Sequence, residues 1–88
     1  MKPEFRIVWK RIATKELRAL DQTTRSRVMS AVRELESGPI LPGVRKLQGA
    51  YHTYRQRVGD YRIVFQVQEA TESIVIIRVR HRKDVYRG

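Results

Sequence analysis

The sequence has no cysteine among its 88 residues. That excludes a disulfide framework, a thiolate nucleophile and a Cys-ligated metal, and it fits a cytoplasmic chain. Long apolar runs are missing too. None approaches the roughly 18 residues that a membrane span needs. The opening stretch, MKPEFRIVWKR, mixes acidic and basic residues with apolar ones and does not read as a signal peptide. Two histidines without further plausible ligands do not make a metal site. Acids are scarce: 9 Asp and Glu stand against 19 Lys and Arg, a net charge of +10. The length excludes multi-domain enzymes and Rossmann-type nucleotide-binding units, and it leaves one domain over residues 1–88.

What is present points to an anionic partner: nucleic acid, a membrane surface or an acidic protein. Fourteen of the 19 basic residues are Arg, whose planar fork matches phosphate. Hydrophobic residues make up 41%, too many for a disordered basic tail.

Phe5, Ile7 and Trp9 alternate with Glu4, Arg6, Val8 and Lys10, which predicts a first strand with one buried face. Ala13, Leu17 and Leu20 then follow a helical spacing. A second helical stripe runs through Val28, Ala31, Val32 and Leu35. Thr23 or Thr24 is a candidate N-cap for this second helix, and Gly38-Pro39 a C-terminal stop. Residues 37–50 read as an irregular connection around three glycines and two prolines. Residues 52–58 and 61–68 read as strands joined by Gly59-Asp60, a pair suited to a type II′ hairpin. Residues 74–79 start with an unbroken apolar run, as a strand buried on both faces does. The fold class is therefore α+β: β-α-α-β-β-β, a mostly antiparallel sheet with two helices on one face.

The hairpin carries a geometric consequence. With a two-residue turn, Val58 pairs with Tyr61, Arg57 lies opposite Arg62, and Arg55 shares their face. Tyr54, Val58, Tyr61, Ile63, Phe65 and Val67 then face the helices, which leaves the arginines on the open face of the sheet. Like charges directly opposite each other are destabilising, so a fold that keeps them is solvating the patch or using it. The tail RVRHRKDVYRG adds Arg78, Arg80, Arg82, Lys83 and Arg87, with His81 among them. His81 suits a base, a hydrogen-bonding role or simply a structural place at a strand end. Arg45 and Lys46 add further cations. Arg holds phosphate by charge and forked hydrogen bonds, and Tyr stacks on splayed RNA bases. Tyr86, in the charged tail, is the sharpest aromatic candidate.

The stretch KLQGAYHTYRQRVGDYRIVFQV, followed by IIRVRHRKDVYR, resembles the RelE branch of the RelE/ParE toxin superfamily. The signature is a KL-x-G turn, a basic strand, a G-[DN]-YR-[IVL]-[IV] hairpin and a terminal HR-K-[DE]-VY. The resemblance implies the toxin of a type II toxin–antitoxin system, a ribosome-dependent endoribonuclease that cuts mRNA in the A site. The 2′-hydroxyl attacks the adjacent phosphate and the 5′-oxygen leaves. By the same resemblance Arg55, Arg57, Arg62 and Arg82 position the backbone and stabilise charge on phosphate, while Tyr86 stacks or transfers a proton. Arg45, Lys46, Arg78, Arg80, Lys83 and Arg87 are expected to add RNA contacts.

Some members of the family have Lys at the positions of Arg55 and Arg57, where one is a candidate general base, and Arg is a poor base. That leaves His81, Tyr86, water or ribosomal RNA to take the proton. The implied partners are a small cognate antitoxin with an acidic toxin-binding segment, 16S ribosomal RNA and mRNA. No specific DNA binding by the toxin alone, no membrane and no cofactor are implied, because the ribose supplies the nucleophile. Two other readings stand beside this one: a ParE-like toxin that binds DNA gyrase, and a non-catalytic RNA-binding or ribosome-associated protein.

Overall fold

In the computed structural model, the described residues are 4–38, 44–47, 49 and 52–85. Strand β1 (Arg6–Trp9) leads into helix α1 (Arg11–Arg18) and helix α2 (Gln22–Leu35). Strands β2 (Val44–Lys46), β3 (Thr53–Val58), β4 (Tyr61–Gln68) and β5 (Ser73–His81) follow, and a short helix α3 (Arg82–Val85) ends the described chain. The sheet order is β1-β5-β4-β3-β2. β2 to β5 form an antiparallel run, and β1 joins its far edge parallel to β5. The expected α+β architecture is present, with two additions. β2 lies inside the segment read as an irregular connection, and the tail beyond His81 turns into α3.

One face of the sheet is apolar and the helices cover it. Ala13, Val28, Val32 and Leu35 from the helices pack with Ile63, Phe65, Val67, Ile74, Ile76 and Val79 from β4 and β5. Phe5, Ile7, Trp9, Leu17 and Leu20 border this core, as do Tyr54, Val58 and Tyr61. The alternation in β1 and in the hairpin therefore has the cause inferred from the sequence: apolar area removed from water on one side only. β5 is an interior strand whose first four residues, Ser73 to Ile76, are all buried.

The caps differ in detail. The N-cap of α2 is Asp21, not Thr23 or Thr24; its carboxylate accepts the Thr24 N–H at 3.2 Å. Asp is among the strongest N-caps because it satisfies a helix-end donor and carries negative charge at the positive end of the dipole. Hydrogen bonds from Thr24, the side chain first and the backbone second, hold the Asp21 carboxyl below its ordinary value of 3.8. At the other end α2 stops at Leu35, before the expected glycine. Gly38 follows at φ +148°, and its N–H returns to the Leu35 carbonyl at 3.0 Å. Pro39 lies outside the described residues. No helix among the described residues is long and apolar enough to cross a membrane.

Candidate RNA-binding face

The β3–β4 hairpin has the expected register: Arg57 pairs with Arg62, and Val58 with Tyr61. Gly59, the first turn residue, has φ +57° while Asp60 stays at negative φ, as a type II′ turn requires. Side chains of directly paired residues share a face. Arg55 and Arg57 therefore stand on the same face as Arg62, opposite the tyrosine, isoleucine and phenylalanine positions that fill the core.

Two further pairings widen this patch. Arg45 of β2 pairs with Arg55, and Arg80 of β5 pairs with Arg62. Arg78 pairs with Val64, the neighbour of Arg55 across the hairpin. The face thus carries two rows: Arg45–Arg55–Val64–Arg78 and Arg57–Arg62–Arg80. A bulge makes the second edge of these rows possible. Val64 pairs with Arg78 but Phe65 pairs with Ile76, so Ile77 is an extra residue in β5. Simple alternation from Ile74 and Ile76 would send Arg78 and Arg80 into the core. The extra residue reverses the parity, so Val79 enters the core and both arginines face out.

This face is not open throughout. Arg57 and Arg45 are exposed and Arg55 is partly covered, but Arg62, in the middle, is only 3% exposed. Burying a guanidinium costs desolvation, and groups kept under that cost cluster at functional sites. The guanidinium of Arg27, on α2, lies beside the hairpin turn, 3.4 Å from where a Cβ on Gly59 would sit. A shallow groove lined by Ser26, Arg27, Ser30, Glu34 and Arg57 continues the surface around the hairpin edge.

Arg78 is engaged within the protein. Its Nε donates to both oxygens of Glu16 at 3.2 Å and its Nη2 to Oε2 at 2.8 Å. Glu16 Oε1 also accepts the Val79 N–H at 2.8 Å, and Arg80 Nε stands 3.8 Å from Oε2. Nothing in the sequence signalled Glu16, which lies 62 residues from Arg78.

The remaining candidates are spread more widely. Arg82 opens α3 and is exposed; its N–H donates to the Asp60 carbonyl at 2.7 Å, tying α3 to the hairpin turn. Lys83 is exposed beside it. Lys46 pairs with Tyr54 and so belongs to the opposite side of the sheet from Arg45 and Arg55. His81 is likewise separated from the arginines. It pairs with Tyr61, whose ring it meets edge-on at 5.1 Å, and its Nδ1 accepts the Lys83 N–H at 3.2 Å. That places it on the helix-covered side of the sheet, apart from the arginine rows. Tyr86 and Arg87 lie outside the described residues. Among the described residues no three His, Asp or Glu side chains converge as a cation would need.

Residues 7–86 match the family described as the ParE toxin of the type II toxin–antitoxin system parDE. The chain is 29% identical over 86 residues to the toxin RelE3 of Methanocaldococcus jannaschii, covering 93% of this chain and 96% of that one. It is 33% identical over 69 residues to the toxin RelG of Mycobacterium tuberculosis, covering 69% and 76%. The archaeal RelE–RelB complex from Pyrococcus horikoshii holds a chain that superposes with a TM-score of 0.79 at 28% identity, over 90% of this chain and 96% of that one. The chain belongs to the RelE/ParE superfamily of type II toxin–antitoxin toxins, and its fold is RelE-like.

Proposed function

We propose that the chain is an endoribonuclease that cuts mRNA on the ribosome and so stops translation. The observation that carries this reading is the buried Arg62 flanked in one row by Arg57 and Arg80. A surface built only for solubility keeps its arginines in water. Here one guanidinium is fixed within a bank of others, the arrangement that suits charge developing on a phosphate.

In the proposed reaction the ribose 2′-oxygen attacks the adjacent phosphorus. The 2′-O–P bond forms as the P–O5′ bond breaks, which leaves a 2′,3′-cyclic phosphate and a 5′-oxygen that takes a proton from water to become the 5′-hydroxyl. Arg55, Arg57 and Arg45 hold the backbone by charge and forked hydrogen bonds. Arg62, with Arg80 and Arg82, offsets the negative charge of the transition state. None of these can accept the 2′-proton, since a guanidinium stays protonated. With His81 turned toward Tyr61, the acceptor is Tyr86, water or a group of the ribosomal RNA. A site rich in cationic donors and poor in bases supports the reading in which the ribosome takes part.

The neutralising partner is a cognate antitoxin, the counterpart of RelB in the RelE–RelB complex of Pyrococcus horikoshii. A segment carrying carboxylates would cover the arginine rows and block phosphate access. Expression of the chain alone is expected to halt translation and to generate mRNA fragments with 5′-hydroxyl ends. The matching family's description as ParE favours a second reading, a toxin that binds DNA gyrase. Inhibition of purified gyrase with intact mRNA would select that reading instead.

A further inference from the structure

We propose that Glu16 is a built-in counter-anion of the arginine face. It removes Arg78 from the phosphate-binding set and restrains Arg80. RNA affinity is thereby lowered in exchange for docking α1 against β5. The inference rests on the reading of this face as an RNA site.

β1 ends at Trp9, opposite Ile76, and its last tie to β5 is the Lys10 N–H on the Ile76 carbonyl at 2.9 Å. Beyond that point no strand among the described residues lies along this edge of β5. α1 packs there, and the Glu16 carboxylate takes the place of a strand carbonyl by accepting the Val79 N–H at 2.8 Å. The same carboxylate is then committed to Arg78 through Nε and Nη2. That edge of the guanidinium is one with which Arg forks a phosphate, and a carboxylate already occupies it. Arg80 differs. At 3.8 Å its Nε is close enough to be attracted and too far for a hydrogen bond, so it is steered but keeps its donors. Among the described residues the face has six arginines by register, and Glu16 commits one of them to holding α1.

The test measures binding of a short single-stranded RNA to the full chain across a salt series. Glu16→Gln keeps a carbonyl oxygen for the Val79 N–H but releases Arg78. Affinity should rise by about threefold or more at low salt, and the slope of log K against log salt should steepen by about 0.7, one added phosphate contact. Adding Arg78→Ala to Glu16→Gln should remove the gain. Glu69→Gln makes the same charge change at the far end of the sheet and should gain less. A folded Glu16→Gln protein that binds no tighter than the parent, or no tighter than Glu69→Gln, overturns the inference. If Glu16→Gln does not fold, Arg78→Met in the parent decides: it should cost less affinity than Arg57→Met, and an equal or larger loss overturns the inference. RNA binding by none of these proteins overturns the RNA reading of the face and this inference with it. Binding by the parent without the gain overturns this inference alone.

Discussion

Arg57 and Arg62 stand directly opposite each other across the β3–β4 hairpin, one exposed and the other buried. Paired like charges work against the strands that carry them, by a few tenths to about 1 kcal/mol. The hairpin holds them together because Gly59-Asp60 fixes the register and because Tyr54, Phe65 and their neighbours anchor the reverse face in the core.

That opposition predicts a trade between stability and activity. Arg57→Ala should raise stability slightly, by roughly 0.5 kcal/mol, because it relieves the repulsion. The gain should shrink as salt screens the pair. mRNA cleavage should fall at the same time. Urea denaturation at two salt concentrations, beside a cleavage assay on ribosomes, checks both halves. A loss of stability in Arg57→Ala would mean the pair is not repulsive in this fold.

Arg62 separates charge from packing. Arg62→Met puts an unbranched apolar side chain at this buried position and removes the charge, and thermal denaturation first identifies the folded protein. Cleavage should drop by about a hundredfold or more, the size of effect seen when one donor to developing charge is removed. Arg62→Lys keeps the charge without the fork and should fall between the two proteins. A folded Arg62→Met protein with full cleavage would remove Arg62 from the mechanism.

The Asp21 cap gives a pH signature. Its carboxyl is held below 3.8 by Thr24, so folding favours the ionised form. The cap's contribution is complete above that ordinary value and is lost as pH falls through the lowered one. Asp21→Ala should therefore lower Tm at neutral pH, and the difference from the parent should narrow well below pH 3.8. A Tm difference independent of pH would show that the charge plays no part.

Residues with local causes were legible in the sequence, and those set by distant contacts were not. The hairpin register followed from two turn residues, and with it the shared face of Arg55, Arg57 and Arg62. The placement of Arg78 and Arg80 did not follow, because Ile77 interrupts the alternation of β5 and a bulge leaves no mark in an apolar run. β2 escaped notice because three residues among glycines and prolines show no period. The pairing of Glu16 with Arg78 spans most of the chain. His81 looked like part of the basic tail, yet the strand parity that sets Arg80 outward turns His81 toward Tyr61.

Mapping mRNA 5′-ends after brief induction of the chain tests the central claim most directly. The account predicts new 5′-hydroxyl ends in register with codons, absent when translation is stopped beforehand and absent with Arg62→Met. Intact mRNA in arrested cells, or cuts that persist without translating ribosomes, would contradict it.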